Sequence, residues 1–371
     1  MLNRSVYDCL VQTRETKIKT AMKLNRLAVA GAIASVAALS ARADSISPTS
    51  FSDSIGVGGV TSVDKTVTVS AGRPSSSLVD VFFLSDTTGS MGSAIGSVQS
   101  SASSILSGTA GLGDVHFGVG EYKDGPDMGD PFIFKMDQDI TGNTAAVQAG
   151  INSWSAGGGG DFPESAFYGL KQVADTASWR PGSRRILTWF GDAPSHDPAQ
   201  GVSQADAISA LTGKGVQVEA INLAGAGSGL DQGGQASAVV AATGGHLYNG
   251  IAGNNVAAQI QAAITTAFAN YTTVSLDLSE VPAGLSALAI PGSYVGTFDR
   301  SVDRDFGFNL AFAGLAPGDY TFNVYGTVDG GRVATETDHI VVGEGVPDAG
   351  ASLTLLGVGV AALAGIRRKL A

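Results

Sequence analysis

Between residues 79 and 271, short apolar runs alternate with longer stretches of helical periodicity. The apolar runs are VDVFFLS, DVHFGVGEY, FIFKMD, RRILTWF, VQVEAINLA and the short GHLYN, separated by helical stretches near residues 91–107, 144–154, 164–177, 203–213, 234–242 and 254–269. This alternation is typical of a mostly parallel sheet covered by helices on both faces. The pattern therefore predicts an α/β class, doubly wound domain over residues 79–271.

After residue 271 the helical period stops and short alternating strands follow. They are TVSLDLS, DFGFNLAFAG, DYTFNVYGTV and RVATETDHIVV, with turns at residues 282–284, 317–318 and 329–330. We predict a small antiparallel β-sandwich over residues 272–345, and LAPGDYTFNV resembles a corner of immunoglobulin-like and fibronectin-like modules. Residues 44–78 form a separate N-terminal β segment, or their alternating KTVTVS supplies a missing strand of the sandwich. In the second case the α/β domain is inserted within the sandwich.

The N-terminal 43 residues have the pattern of a secretory signal peptide. Basic residues precede the apolar LAVAGAIASVAALSA, which ends in a small-x-small sequence at Ala41-Arg42-Ala43. Met22 would give a more ordinary signal length than Met1. We therefore expect export, with the mature chain beginning near Asp44.

The C-terminal residues 346–371 form a second sorting pattern. A VPDAG turn precedes an apolar stretch that is short for a membrane span, and a basic cluster ends the chain. This layout resembles the VPDSG-like PEP-CTERM signals, with Ala349 at the serine position. The resemblance implies cleavage by an exosortase-type enzyme of a Gram-negative bacterium. Membrane contact through the tail would be transient, leaving the protein secreted, on the cell surface or in the extracellular matrix.

Composition limits the classes of partner and of chemistry. The formal net charge is −11, and both removable ends are rich in basic residues, so phosphate backbones would be repelled and no nucleic acid partner is expected. The single cysteine, Cys9, lies in the leader. A mature chain without thiols excludes disulfides, cysteine nucleophiles and zinc fingers.

Oxygen-bearing side chains follow three of the predicted strands. Asp86-Thr87-Thr88-Gly89-Ser90 ends the first strand, GGGGDFPES contains Asp161 and Glu164, and Asp192 follows RRILTWF. Ligands bind such sheets beyond the carboxyl ends of the strands, and hard oxygen donors suit Mg²⁺. Each loop also has a structural alternative. Residues 161–164 fit a capping box, and the first loop could cap its helix.

The D-x-T-x-S pattern, together with acids in two later loops, resembles the metal-ion-dependent adhesion site of von Willebrand factor type A domains. The resemblance implies that the hydroxyls of Thr88 and Ser90 bind the metal directly, while Asp86 and Asp192 act through water. GDFPE is similar to the integrin β form of the third loop, which implies that Glu164 is a direct ligand. The expected ion is Mg²⁺, with Mn²⁺ or Ca²⁺ as alternatives.

The same resemblance implies a second metal site beside the first. Asp161 and the Pro163 carbonyl match a neighbouring calcium site of integrins, and Asp124 at the end of the second strand is a further candidate. Gly159 departs from the pattern, which has asparagine there.

These features favour an adhesion or binding protein. Its metal would bind a carboxylate or another oxygen donor of a protein or matrix partner. A structural matrix protein with a stabilising metal and a metal-dependent hydrolase are the alternatives. The consecutive Ser195-His196-Asp197 cannot form a triad, and we interpret His196 as an exposed loop residue. We predict that the protein is not an enzyme and has no catalytic residues.

Overall fold

The computed structural model describes residues 43–72, 78–224 and 229–344. Residues 1–42 of the predicted signal peptide, which ends at residue 43, and the sorting tail lie outside those residues. Within them, no helix combines the length and apolar character needed to cross a bilayer.

The described chain begins with three strands and then enters the α/β unit. The first strands are β1 (Ser45–Ser47), β2 (Ser50–Gly56) and β3 (Val60–Val69). The strands of the α/β unit are β4 (Leu78–Asp86), β5 (Asp114–Tyr122), β6 (Phe134–Thr141), β7 (Arg184–Gly191), β8 (Val216–Leu223) and β9 (Leu247–Ile251). Its helices are α1 (Gly92–Thr109), α2 (Thr144–Asn152), α3 (Ala166–Thr176), α4 (Gln204–Gly213), α5 (Gln235–Thr243) and α6 (Val256–Ala267).

These six strands form one sheet in the order β6-β5-β4-β7-β8-β9. Neighbours are parallel except β6, which runs antiparallel to β5. Val81 and Phe83 of the central β4 pack into one core, and Phe82 and Leu84 pack into another. Because both faces are covered, β4 is a continuous apolar run. The predicted doubly wound fold class is confirmed.

The remaining strands form a β-sandwich. They are β10 (Asn270–Asp277), β11 (Leu285–Ile290), β12 (Ser293–Asp299), β13 (Arg304–Gly314), β14 (Gly318–Val328) and β15 (Gly331–Gly343). One sheet has the order β1-β3-β13-β11 and the other β12-β10-β14-β15-β2. Only the pairing of β15 with β2 is parallel among these strands. Since β1 to β3 belong to these sheets, the α/β unit is inserted between β3 and β10.

The sequence pattern predicts the inner strands of the sandwich but misses β1, β2, β11 and β12. These four strands are the edges of the two sheets. Edge strands need less apolar surface, and β2 contains Ser52-Asp53-Ser54 whereas β12 contains Gly296. Their strand conformation comes from pairing with a neighbour rather than from intrinsic propensity.

Polar contacts join the sandwich to the amino end of the α/β sheet. Arg184, the first residue of β7, forms a 2.6 Å ion pair with Asp329 in the turn between β14 and β15. The Arg332 N–H of β15 also donates to the Gly182 carbonyl at 2.7 Å. The carboxyl ends of the parallel strands therefore lie at the opposite edge of the sheet from these contacts.

Candidate metal site

The first loop of the site begins where β4 ends, at Asp86. This side chain is fully buried, and its Oδ1 accepts hydrogen bonds from the Thr88 N–H at 2.8 Å and the Thr88 hydroxyl at 2.7 Å. Its Oδ2 is buried and has no hydrogen-bond partner. No side chain of this loop caps the following helical turn or α1, so the capping alternative is wrong here. One carboxylate oxygen fixes the loop and the other is left for a ligand.

The four-glycine stretch packs directly against this loop. The Gly89 N–H donates to the Gly158 carbonyl at 3.1 Å, and the Gly157 N–H donates to the Thr87 carbonyl at 3.2 Å. Gly159 has a φ of +79°, and a Cβ there would lie 2.9 Å from the Thr88 Cβ and 3.1 Å from the Glu164 Oε1. A side chain at this position would therefore crowd the candidate ligands.

Glu164 is placed by backbone pairing between two loops. Its N–H donates to the Pro194 carbonyl and its carbonyl accepts from the His196 N–H, both at 2.8 Å. The side chain is 1% exposed and lies close to the side chains of Thr88 and Asp124. Its Oε2 is buried without a partner. Glu164 thus brings a second orphan carboxylate oxygen to the site.

The capping-box alternative for residues 161–164 is also wrong. Helix α3 begins at Ala166, with Ser165 at the N-cap and no capping bond from its side chain. Instead, Ser195 from the neighbouring loop accepts a hydrogen bond from the Phe167 N–H at 3.0 Å. Glu164 lies before the first residue of α3. Because Ser195 caps this helix, the Glu164 side chain is not needed as a cap and can face Asp86.

Asp192 enters the site from the end of β7. Its Oδ1 accepts a hydrogen bond from the Ser90 hydroxyl at 2.8 Å. The preceding Gly191 allows a close approach, because a Cβ there would lie 3.1 Å from the Asp86 Cβ and 2.8 Å from the Tyr122 hydroxyl oxygen. The structure therefore brings the acids of all three loops together at one edge, with Ser90 exposed at its mouth.

Electrostatics at this edge are unfavourable without a cation. Burial raises the pKa of Asp86 to about 7, and the Asp192 charge contributes to the rise. Burial also raises the pKa of Glu164 to about 10, with Asp86 and Asp124 adding repulsion. Lys123 compensates only in part, because its ammonium donates to backbone carbonyls of this region and burial lowers its pKa. The orphan oxygens and raised pKa values fit a divalent cation.

Comparisons with known proteins agree with this fold. Residues 80–252 match the family model of the von Willebrand factor A domain. The chain carries a von Willebrand factor A (VWA) domain. Residues 345–370 match the VPDSG-CTERM motif, which confirms the predicted sorting signal and indicates export with surface association. No curated protein matches the chain.

Comparison with solved structures matches the chain to proteins of low sequence identity, three of which follow. A von Willebrand factor type A protein from Catenulispora acidiphila is 14% identical, with a TM-score of 0.44. The match covers 82% of this chain and 75% of the Catenulispora chain. The pilus adhesin SpaC from Lactobacillus rhamnosus GG is 12% identical, with a TM-score of 0.40. The match covers 76% of this chain and 45% of SpaC. Proximal thread matrix protein 1 from the mussel byssus is 15% identical, with a TM-score of 0.40. The match covers 54% of this chain and 48% of the matrix protein.

A second cluster lies beside the first in the VWA domain. Asp124 is 1% exposed, and its Oδ1 has no hydrogen-bond partner. The His196 Nε2 lies 3.4 Å from the Asp161 Oδ1 and 4.0 Å from the Asp124 Oδ1. Asp124, Asp161 and His196 each offer a ligand atom within 4.8 Å of the others. Pro163 lies half-buried in the same loop.

The structure places His196, interpreted from the sequence as an exposed loop residue, beside Asp161 and Asp124. Its backbone is fixed by the bond to Glu164, which places the imidazole over Asp161. Asp161 itself is exposed, so the cluster opens to solvent. The only signal in the sequence is that His196 follows Asp192 by four residues.

Proposed function

We propose that this chain is an exported adhesion or binding protein that engages its partner through a divalent metal at the carboxyl edge of the VWA sheet. The observation that carries the proposal is the pair of buried carboxylate oxygens, Asp86 Oδ2 and Glu164 Oε2, which lack hydrogen-bond partners. Buried acids in such a state are costly unless they are paired or bind a metal. A metal-binding role explains why the chain retains them.

Roles for the individual ligands follow from the donor set. Thr88, Ser90 and Glu164 would bind the ion directly, and Asp86 and Asp192 would act mostly through water. Mg²⁺ fits this set of hard oxygens best, with Mn²⁺ or Ca²⁺ as substitutes. When bound, the ion supplies a coordination position for a carboxylate or other oxygen donor of the partner.

The surroundings of the site also suit a protein or matrix partner. Phe162 and Met128 expose 52% and 41% of their surface on loops at this edge. Met128 contacts the Gly160 position of the glycine stretch. Apolar contacts could therefore flank the metal, and the edge faces away from the end of the sheet that the sandwich holds. We propose no catalytic role.

The second cluster is proposed to hold a further divalent ion. Asp124 and Asp161 offer carboxylate oxygens and the Pro163 carbonyl is the donor that the resemblance implies. The resemblance favours Ca²⁺, whereas the imidazole of His196 favours a softer ion such as Mn²⁺. Competition between Ca²⁺ and Mn²⁺ in the purified protein would distinguish the two.

A pull-down tests the adhesion proposal. The mature protein is incubated with surface and matrix material from its own cells, with Mg²⁺ or with a chelator. We expect recovery only with Mg²⁺, loss of recovery in Asp86→Ala, and normal recovery in Asp127→Ala, which removes an exposed acid from the loop after β5. Equal recovery with and without metal would contradict the proposal and favour a structural matrix role.

We also propose that an exosortase-type enzyme removes the sorting tail after a transient membrane contact. The apolar stretch of the tail is too short for secure spanning. The intact mass of the exported protein should therefore lack Arg367 to Lys369, and a mass that includes them would contradict the processing.

A further inference from the structure

A lysine lies in the core of the β-sandwich. Lys65 occupies an inward position of β3, in phase with Val67 and Val69, and is completely buried. Its ammonium lies 2.5 Å from the Glu336 Oε2 and 3.0 Å from the Asp338 Oδ1. Both acids occupy inward positions of β15, and both side chains are completely buried. The three groups therefore meet between the two sheets.

Apolar side chains enclose this triad. The ring of Phe51 lies 5.6 Å from the Lys65 ammonium, and Phe308 is the partner of Lys65 on the neighbouring strand. Opposite them, Phe322 pairs with Asp338 and Val324 pairs with Glu336. Such surroundings exclude water and make separated charges expensive.

The ion pairs do not satisfy all the buried oxygens. Glu336 Oε1 and Asp338 Oδ2 have no hydrogen-bond partner. A lysine with two carboxylates also keeps a net negative charge in the core if both acids are ionised. A reaction between Lys65 and one carboxylate would remove one positive and one negative charge from the core and leave one acid as the remaining titratable group.

We propose that Lys65 and Asp338 condense to form an intramolecular isopeptide bond, with Glu336 as the proton-transfer group. The Lys65 ammonium first passes a proton through Glu336 to an Asp338 oxygen, which leaves a neutral amine and a neutral carboxylic acid. The Lys65 nitrogen then attacks the Asp338 Cγ and forms the C–N bond. Glu336 takes a second proton from that nitrogen and gives it to the hydroxyl, the C–O bond breaks, and water leaves.

The step balances without any co-reactant. One ammonium and one carboxylate become one amide and one water, and Glu336 returns to its starting state. No oxidant or reductant is required. The apolar core favours the product, since the amide is uncharged.

The environment distinguishes the roles of the two acids. Burial raises the pKa of Glu336 to about 7, which suits a group that accepts and returns protons near neutral pH. The backbone N–H of Phe51, the neighbour of Asp338 on β2, lies close enough to favour the charged form of Asp338. That donor would stabilise negative charge on the Asp338 oxygen during the attack. Asp338 is therefore the acceptor and Glu336 the proton carrier.

The bond would have a defined place in the architecture. It would join the sheet that contains β3 to the sheet that contains β15, across a sequence separation of 273 positions. The inserted VWA domain lies within that loop. A mature chain that lacks cysteine would thus gain a covalent link between β3, which precedes the VWA domain, and β15, the last strand.

Mass spectrometry of the purified full chain after tryptic digestion tests the proposal. We expect a branched peptide in which Lys65 is joined to Asp338, lighter by one water than the two separate peptides, and no cleavage after Lys65. A wild-type digest that contains only the separate peptides would overturn the proposal. A link from Lys65 to Glu336 would overturn the assigned roles.

Two variants sharpen this test. Lys65→Arg keeps the positive charge but removes the nucleophilic amine, so the branched peptide should be lost completely. Glu336→Gln keeps the side-chain shape but cannot relay protons, so the branched peptide should accumulate in newly synthesised protein more slowly by a factor of about 10² or more. Formation at the wild-type rate in Glu336→Gln would overturn the relay role. If either variant fails to fold, the wild-type digest still decides whether the bond exists.

Discussion

Both the VWA domain and the β-sandwich bury carboxylates, but they surround them differently. At the VWA edge, Asp86 and Glu164 present orphan oxygens at a site that opens to solvent through Ser90. In the sandwich, Glu336 and Asp338 face Lys65 in a sealed core. In our proposal the first cluster takes its positive charge from solution, whereas the second has a positively charged group, Lys65, within the chain.

The difference indicates that buried acids at an open sheet edge suit binding, whereas buried acids in a closed core suit structural stability. An ion taken from solution can be exchanged and can present an open position to a partner, so the VWA edge suits binding. A buried lysine on an adjacent sheet cannot exchange, so the sandwich cluster suits permanent structure. In both places the cost of burying acids is several kcal/mol if the positive charge is withheld.

The largest expected effect on stability comes from removing the buried amine of Lys65. Lys65→Met removes both the buried cation and the amine that the proposed amide needs, so Glu336 and Asp338 are left unpaired in the core and we expect a loss of about 3–5 kcal/mol in the unfolding free energy. Denaturant unfolding followed by circular dichroism measures it. The matched control is Lys171→Met, which breaks a partly exposed pair with Asp175 on α3 and should change little. Equal midpoints for the two variants would show that the sandwich does not depend on its lysine.

Removing the divalent cation from the VWA site should have a smaller effect on stability. Mg²⁺ at a hundredfold excess over its dissociation constant should stabilise the folded protein by about 2.7 kcal/mol relative to a chelator. Thermal melts with and without Mg²⁺ measure the shift, and Asp86→Ala should abolish it. Wild-type melting curves that superimpose would contradict a metal site at this edge.

The stability of the metal-free protein should also depend on pH. Folding raises the pKa of Asp86 from 3.8 to about 7. Stability from a carboxyl group with a raised pKa is complete below the lower value and is lost as the pH rises through the higher one. The melting temperature in chelator should therefore fall over this interval, and the gap to the Mg²⁺ curve should widen. A gap that narrows with rising pH would mean that Asp86 is not part of the metal-dependent cluster.

The sequence predicts strands correctly where burial of one or both faces sets the spacing of apolar residues. Strand β4 is apolar throughout because both of its faces are covered, and the inner sandwich strands alternate because only one face is covered. The edge strands β1, β2, β11 and β12 carry weak patterns, since pairing on one side stabilises them. Local sequence could not reveal that pairing.

Much of the candidate site can also be predicted, because residues at the ends of parallel strands must share one edge. Contacts between distant loops cannot be predicted in this way. The cap that Ser195 supplies to α3 and the position of His196 both depend on pairing between residues far apart in the chain. The metal ligands themselves stay a prediction.

The positions of the three charged residues of the lysine cluster are also a signal in the sequence. Lys65 is in phase with two buried valines, and Glu336 and Asp338 are in phase with the buried Ile340. Three charged residues at inward positions of two strands indicate a mutual contact. The partner strand is not visible from the pattern, because β3 and β15 lie at opposite ends of the described chain.

Calorimetric titration of Mg²⁺ into the metal-free wild type, Glu164→Gln, Asp86→Ala and Asp127→Ala tests the metal site most directly. We expect binding with similar affinity in wild type and Asp127→Ala, weaker binding in Glu164→Gln because a hard cation prefers a carboxylate, and no binding in Asp86→Ala. The metal-free stability of Glu164→Gln should stay close to wild type, since the raised pKa of Glu164 already favours its neutral form. Equal affinities in wild type and both site variants would contradict the account.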